Sequence, residues 1–461
     1  MLVVGSMIGS GIFIVSADIA RTVGCSGWLL MVWIIAGAVT VAAALSYGEL
    51  AGMMPQAGGQ YVYLREAYNP MVGFLYGWTL FLVIQTGTIA AVCVAFAKYA
   101  AVLVPWFSEK HVLLELGPLK VSAAQLLAIG IVAALTAVNR RGLKGGKAIQ
   151  DVFTTAKTAA LVGLIVMGLS LGRNSEAWRA SLSGFWDAKW LRVPGGPPQP
   201  LGGLMLWAAV GVAMVGSLFS ADAWNNVTFT AGEVREPQRN IPLSLALGTV
   251  IVTLLYLLVN VAYLAVLPLA GAPNAADALG RGVQFAANDR VAAAAAARMF
   301  GSPGEVMMAL LIMVSTFGCA NGMILAGARV YYAMAQDGVF FRRAGILNES
   351  AVPGNALLWQ GAWTSVLCLS GAYGDLLDYV IFAVLVFYIL TVGGIFLLRR
   401  GRPDAPRPYR AWGYPLVPAL YVLAAAAISV DLLIFKPRYT WPGVAIVLVG
   451  IPVYFLWRRE P

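Results

Sequence analysis

Three glycines and two serines fall within seven residues of an apolar stretch, Gly5-Ser6-Met7-Ile8-Gly9-Ser10-Gly11. Glycine weakens a helix by about 1 kcal/mol relative to alanine, so this cluster favours local unwinding. An apolar medium punishes free N–H and C=O groups, and unwound backbone survives there only where it lines a cavity or binds something. The exposed helix ends carry partial charges, positive at an N-terminus and negative at a C-terminus. The structural alternative is a close helix contact through small residues. A second run, Gly216-Ser217-Leu218-Phe219-Ser220-Ala221-Asp222-Ala223-Trp224-Asn225-Asn226, interrupts another apolar stretch and its Gly-Ser-Leu echoes Gly5-Ser6-Met7. A carboxylate at membrane depth costs at least about 2.5 kcal/mol without a partner or water, so Asp222 either serves a site or caps a helix. Lys157 lies about two turns inside its apolar run, too deep to snorkel, and needs a polar partner. Lys98, near the end of its run, reads as an ordinary snorkelling lysine. This chemistry is recognition of a small charged molecule rather than bond making. His111 is the single histidine, and Cys25, Cys93, Cys319 and Cys368 are far apart, so no metal spacing, disulfide framework or nucleophile–base pair is visible.

The elements that must hold these residues are set by composition. The chain is 60% hydrophobic and 11% charged, with a mean hydropathy of +0.78, against roughly 25% charged residues in soluble domains. It belongs in lipid. The net charge of +10 suits anionic headgroups, and no basic, aromatic-interleaved patch points to nucleic acid. Apolar runs near 2–24, 28–53, 70–103, 123–138, 150–171, 202–230, 241–266, 303–335, 353–372, 376–398, 413–435 and 441–458 predict twelve spanning segments in one membrane domain. Short connections decide orientation, and Arg65, Arg140, Arg141, Arg235, Arg239, Arg342, Arg343 and the run Arg399 to Arg410 all fall on one side. Both termini are therefore expected in the cytoplasm. The stretch 267–302, alanine-rich at 291–298, reads as an outer amphipathic helix pair over the site. Only Met1 to Val4 precede the glycine cluster, without a basic anchor, and a short natural N-terminal piece is expected upstream. Matching interruptions in two halves of such a chain point to a transport site.

Three motifs in order carry a family resemblance: the Gly-Ser-Gly break, the loop Pro55-Gln56-Ala57-Gly58-Gly59-Gln60-Tyr61-Val62-Tyr63, and Arg329-Val330-Tyr331-Tyr332-Ala333-Met334-Ala335-Gln336-Asp337-Gly338. Together they resemble the amino acid–polyamine–organocation transporter superfamily, from Gly5 to about Arg410. Gln150-Asp151-Val152-Phe153-Thr154-Thr155-Ala156-Lys157 and Ser315-Thr316-Phe317-Gly318-Cys319-Ala320-Asn321-Gly322 resemble its L-type, sodium-independent branch. The resemblance implies an all-α, LeuT-like membrane fold. Two inverted five-helix repeats (1–171 and 202–398) would each open with a broken helix, and two peripheral helices (413–458) would follow.

The resemblance further implies a cofactor-free cell-membrane exchanger of L-amino acids, working by alternating access, with proton-coupled symport, or carriage of cationic amino acids or polyamines, as the alternative readings. Neutral, small to medium substrates are expected because the pocket candidates other than Asp222 are uncharged. The substrate carboxylate would meet the N–H groups of Gly9, Ser10 and Gly11, and its ammonium the carbonyls of Met7, Phe219 and Asp222. Ser220 adjoins this set, and Asn225 is placed one turn into the second half-helix, bonding within the site or to segment five. Phe219 resembles the outer gating aromatic. Lys157 takes the place of sodium in coupled relatives and ties segment one to segment eight, where Ser315 lies; Cys319 replaces a second hydroxyl common in the branch. Gln85, Thr86 and Thr88, Ala221, and Tyr379, Phe382 and Ala383 are the side-chain pocket candidates. Glu233, with Arg329, suggests an inner gate by analogy. Animal members that bond a single-span glycoprotein have a cysteine between segments three and four. None stands there in this chain, so a heavy-chain partner is not expected and a monomer is.

Overall fold

The computed structural model describes residues 2–116, 119–142, 146–191, 198–370 and 373–457, with side chains from residue 152 onward in the fifth segment. The side chains of Gln150 and Asp151, and the proposed ends at 371–372 and 458, lie outside the described residues. Ten helices among them are long and apolar enough to cross a membrane. Two expected segments fall short of that length for different reasons. The first is broken into Leu2–Met7, Gly11–Ile14 and Ser16–Val23, and the ninth, Gly354–Ser370, has 17 residues.

Local chemistry explains several boundaries. Ser122 and Gln125 form a reciprocal capping box that starts Ala123–Arg140. Asn69 caps the helix that begins at Pro70. That third segment widens into a π turn at Leu80–Ile84, immediately before Gln85. Such turns expose backbone and shift side-chain register inside an otherwise regular helix.

Segments two (Ser26–Met53) and seven (Pro237–Val266) pack along much of their length. Gly37 and Gly48 allow this closeness, since a Cβ there would strike Thr253 or the neighbouring Tyr409 and Pro242. The eleventh helix, Leu416–Phe435, leans on segments ten, two and six, and the twelfth, Pro437–Trp457, leans on three and ten. Trp78 Nε1 donates to the Ile446 carbonyl at 3.0 Å across the latter contact. At the centre, Tyr47, Trp224 and Tyr388 meet edge-on or tilted at 4.8–5.7 Å, a geometry aromatic rings prefer.

Two expectations need adjustment. Two short antiparallel ribbons, Val112–Leu116 with Leu119–Ser122 and Lys189–Trp190 with Gln199–Pro200, add a little strand to the helical fold. The stretch 267–302 is no helix pair lying on the surface: Ala278–Arg281 is a single turn. The alanine-rich residues do form a helix, which starts at Val291 and is parted from the helix that runs on to Gln336 by non-helical backbone at Gly301 (φ +68°, ψ −159°). Val291, Ala292, Ala293, Ala295 and Ala296 are buried, because alanine is small enough to pack tightly against neighbouring backbone.

Candidate functional site

Unwinding at the first break leaves carbonyls that segments five and eight satisfy. Lys157 Nζ, buried at 1% exposure, donates to the Gly5 carbonyl and, at 2.8 Å, to that of Ile8. Ser315 Oγ approaches the carbonyls of Ile8 and Gly9 at 3.4 Å, and Cys319 Sγ that of Ser6 at 3.3 Å. Segments five and eight therefore grip the same few residues of segment one. The Cys319 sulfur itself supplies a donor at this position. The amides of Gly9, Ser10 and Gly11 have no partner among the described residues. They stand at the N-terminus of the helical stretch 11–23, where partial positive charge collects.

The second break lies against the first. Gly203–Ser220 ends at Ala221, Ala223 adopts φ +64°, and helix resumes only for Asn226–Phe229. A Cβ on Gly11 would stand 2.1 Å from Ser220 Oγ, so the two broken segments touch at the closest distance glycine permits. Tyr256 of segment seven bridges them, its hydroxyl 2.9 Å from the Met7 carbonyl and 3.1 Å from that of Ser220. Ser10 Oγ lies 3.0 Å from the Tyr373 hydroxyl, and the Tyr373 ring packs edge-on to Phe219 at 6.1 Å. Of the three carbonyls expected to face an ammonium, Met7 accepts from Tyr256 and Phe219 from the Asp222 amide. Each keeps a second lone pair.

Beyond Ala221 the side chains surround a small polar cavity of about 10 Å³, with Gln60, Gln85, Thr88, Asp222, Asn225 and Tyr388 on its wall. Asp222 Oδ1 accepts from the Tyr388 hydroxyl at 2.7 Å. Asn225 donates to Gln60 Oε1 at 3.1 Å, and Gln60 donates in turn to Thr391 at 2.9 Å. A second space of about 20 Å³ adjoins, lined by Ala221, Asp222, Trp224 and Tyr421 among others. Each has room for roughly one water.

The two ends of the molecule differ. At one, Tyr61 donates to Asp337 at 2.7 Å and Arg65 pairs with the same carboxylate, so the loop motif and the 329–338 motif meet. Arg329 pairs with Glu233 at 2.6 Å, an exposed contact worth little by itself. Buried Glu49 holds Arg399 (2.5 Å), Arg407 (3.3 Å) and the Ala411 amide (2.7 Å). At the opposite end a vestibule of about 380 Å³ descends to Tyr373. No His/Cys/Asp/Glu cluster suited to a metal occurs among the described residues.

Two broken helices thus meet at a glycine contact and are gripped by a buried lysine. The family profile described as amino acid permease matches residues 1–453. The chain belongs to this family. The human and mouse proteins named large neutral amino acids transporter small subunit 2 are 30% and 29% identical over 100% of this chain and 80% of their own length. The human b(0,+)-type amino acid transporter 1 is 27% identical over 99% of the chain and 86% of its length. The permease is thus an amino acid transporter of the L-type branch, built as a LeuT-like helical membrane protein.

The permease brings Met7, Gly9, Ser10, Gly11, Phe219, Ser220, Lys157 and Ser315 into one backbone cradle, and places Asp222, Asn225 and Gln85 on the adjoining polar cavity. Several expectations are corrected. Asn225 is the residue before the short helix 226–229, not a turn inside it; of its two expected bonds it makes the one within the polar cavity, to Gln60, and none to segment five is seen among the described residues. Asp222 accepts from Tyr388, and Asn225, not Asp222, stands at the N-cap of that helix. Thr86 turns its hydroxyl back to the Phe81 carbonyl at 2.7 Å, one helical step away from the face shared by Gln85 and Thr88. Phe382 faces Gly443 and Tyr379 meets Tyr439 edge-on, while Ile381, Val384 and Tyr388 face inward; Ala383 lines neither cavity. Inward positions 381, 384 and 388 follow the 3.6-residue period, and the expected set was out of register with it.

Sequence reasoning missed Tyr256, Tyr373, Tyr388 and Gln60. Gln60 carried a signal, as a buried amide inside the Gly58-Gly59 motif. A Cβ on Gly59 would strike Thr228, and Gly58 donates to the Phe229 carbonyl at 3.3 Å, so this loop seats the second half of segment six.

Proposed function

We propose that the permease is a twelve-segment, sodium-independent exchanger of neutral L-amino acids. The observation that carries this reading is the row of amides at Gly9, Ser10 and Gly11, without partners among the described residues, next to carbonyls at the end of Gly203–Ser220. An α-carboxylate matches the first and an α-ammonium the second. The Lys157 ammonium supplies at the unwound backbone the fixed positive charge that a coupling cation would otherwise bring. Phe219 and Tyr373 close the site on the vestibule side, and Glu233 with Arg329 helps close the other.

Residues 1–171 and 202–398 form the two inverted repeats and 413–458 the peripheral pair. Both termini face the cytoplasm of the cell membrane by the distribution of Lys and Arg in short connections. The four cysteines are all buried and unpaired, and none lies between segments three and four, which supports a monomer without a disulfide-linked heavy chain.

The test is uptake of a labelled amino acid panel into proteoliposomes, with and without amino acid inside, in sodium or choline buffer. Exchange predicts uptake that needs internal amino acid and ignores the replacement of sodium. Uptake into empty vesicles driven by external acid would instead make the protein a proton-coupled symporter.

A further inference from the structure

The loop that joins segments eight and nine carries apolar side chains where a turn facing water would carry polar ones. Phe341, Ile346 and Leu347 are exposed at 47%, 58% and 44%, and Arg342 and Arg343 stand among them, exposed as well. Aromatic and basic residues mixed in this way belong at the level of lipid headgroups. Phe341 and Arg342 also form one wall of a groove of about 540 Å³, whose other wall is the end of the twelfth helix, at Val453, Leu456 and Trp457. That volume lies in the usual range for small-molecule pockets, roughly 300–1,000 Å³.

The base of the groove is rigid. Phe340, 3% exposed, lies parallel to Trp457 with ring centroids 6.2 Å apart. Phe341 meets Trp457 edge-on at 4.9 Å and Trp359 at 4.7 Å. Rings packed across the base in these preferred geometries fix the distance between the two walls. Phe340 also touches Phe81 at 5.5 Å, inside the π turn that precedes Gln85, so the groove is continuous with the helix that lines the polar cavity.

Apolar walls with a cation at the rim select an amphiphile with an anionic head. Asp337, the carboxylate nearest to Arg342 along the chain, is already held by Tyr61 and Arg65. We propose that this groove binds one anionic phospholipid, its acyl chains along Phe341, Val453 and Leu456 and its phosphate at Arg342. The site requires only that the chain lies in a membrane, whatever it transports.

The four native cysteines are buried, so Leu456→Cys, at a position 67% exposed on the groove wall, accepts a bimane label selectively. The labelled permease is placed in nanodiscs of phosphatidylcholine, and brominated phosphatidylglycerol or brominated phosphatidylcholine is added as quencher. One arginine beside an anionic headgroup contributes about 1 kcal/mol, or about fivefold in affinity. Half-maximal quenching is therefore expected at about fivefold less phosphatidylglycerol than phosphatidylcholine. Arg342→Gln should bring the ratio to about one, Arg342→Lys should keep most of it, and Arg410→Gln, which removes an exposed charge elsewhere on the same end, should leave it unchanged. Equal quenching by the two lipids in the parent, or a preference that survives Arg342→Gln or is lost equally in Arg410→Gln, overturns the site. A label shielded from both lipids in a particle with the mass of two chains would assign the groove to a second copy and overturn it too.

Discussion

Replacing Lys157 by alanine removes both donors that this side chain supplies to the broken first segment. Gly5 then has no other hydrogen-bond donor for its carbonyl among the described residues, whereas Ile8 keeps the long 3.4 Å approach of Ser315. A buried group left unsatisfied costs about 1–3 kcal/mol, so one orphaned carbonyl and one weakened one amount to roughly 2–4 kcal/mol. These contacts belong to the closed arrangement, in which Gly11 touches Ser220. A two-state gate shifted by that energy moves its equilibrium by roughly thirtyfold to several hundredfold. Turnover in leucine/leucine exchange across proteoliposomes should fall accordingly, while the variant still inserts and purifies as a single species. Replacing sodium with choline should leave the parent unaffected. Unchanged turnover in Lys157→Ala, or strict sodium dependence in the parent, refutes the role assigned to the ammonium.

Gly11→Ala should abolish uptake, because its Cβ meets the Oγ, Cβ and Cα of Ser220 at 2.1–2.9 Å; Gly130→Ala, in open space, is the matched control and should transport normally. Tyr388→Phe deprives the buried Asp222 carboxylate of its 2.7 Å donor, so thermal inactivation of the purified protein should occur at lower temperature than for Tyr439→Phe, which alters only the vestibule wall. Uptake of alanine, serine or a larger neutral amino acid should exceed that of arginine. Arginine-preferring transport that collapses in Asp222→Asn would show instead that this carboxylate reads a cationic side chain.

The parts of this site legible in the sequence are those whose chemistry is abnormal for lipid. Glycine clusters, a carboxylate and a deep lysine each have a cost in an apolar run, and the structure settles each cost with a partner: Gly11 on Ser220, Asp222 on Tyr388, Lys157 on Gly5 and Ile8. Tyrosines carried no such warning, because a phenol in a membrane segment is compatible with simple packing. Only the folded chain shows that Tyr256 and Tyr373 direct their hydroxyls at backbone or serine oxygen hundreds of residues away. Register was the other loss. A π turn at Leu80–Ile84 precedes Gln85, and segment ten turns Ile381, Val384 and Tyr388 inward. Hydrophobicity on every face of such helices gives no moment from which to read that rotation.

The closeness of the two breaks also constrains how substrate enters. The polar cavity beside Asp222 and Asn225 holds about 10 Å³ and its neighbour about 20 Å³, space for water but not for an amino acid. The amides of Gly9, Ser10 and Gly11 can meet a carboxylate only if segment one withdraws from segment six at the Gly11–Ser220 contact. Tyr256 spans that contact with one hydroxyl shared between both segments, and Tyr373 spans the lid through Ser10 and Phe219. Both links are neutral hydrogen bonds or ring contacts, each with a net worth of about 1 kcal/mol, whereas the grip of Lys157 on segment one is charge-assisted and buried. The weak links therefore lie where the site must open. The stronger one joins segment one to segment five and belongs to the closed arrangement, so it is the contact whose loss tilts the gate.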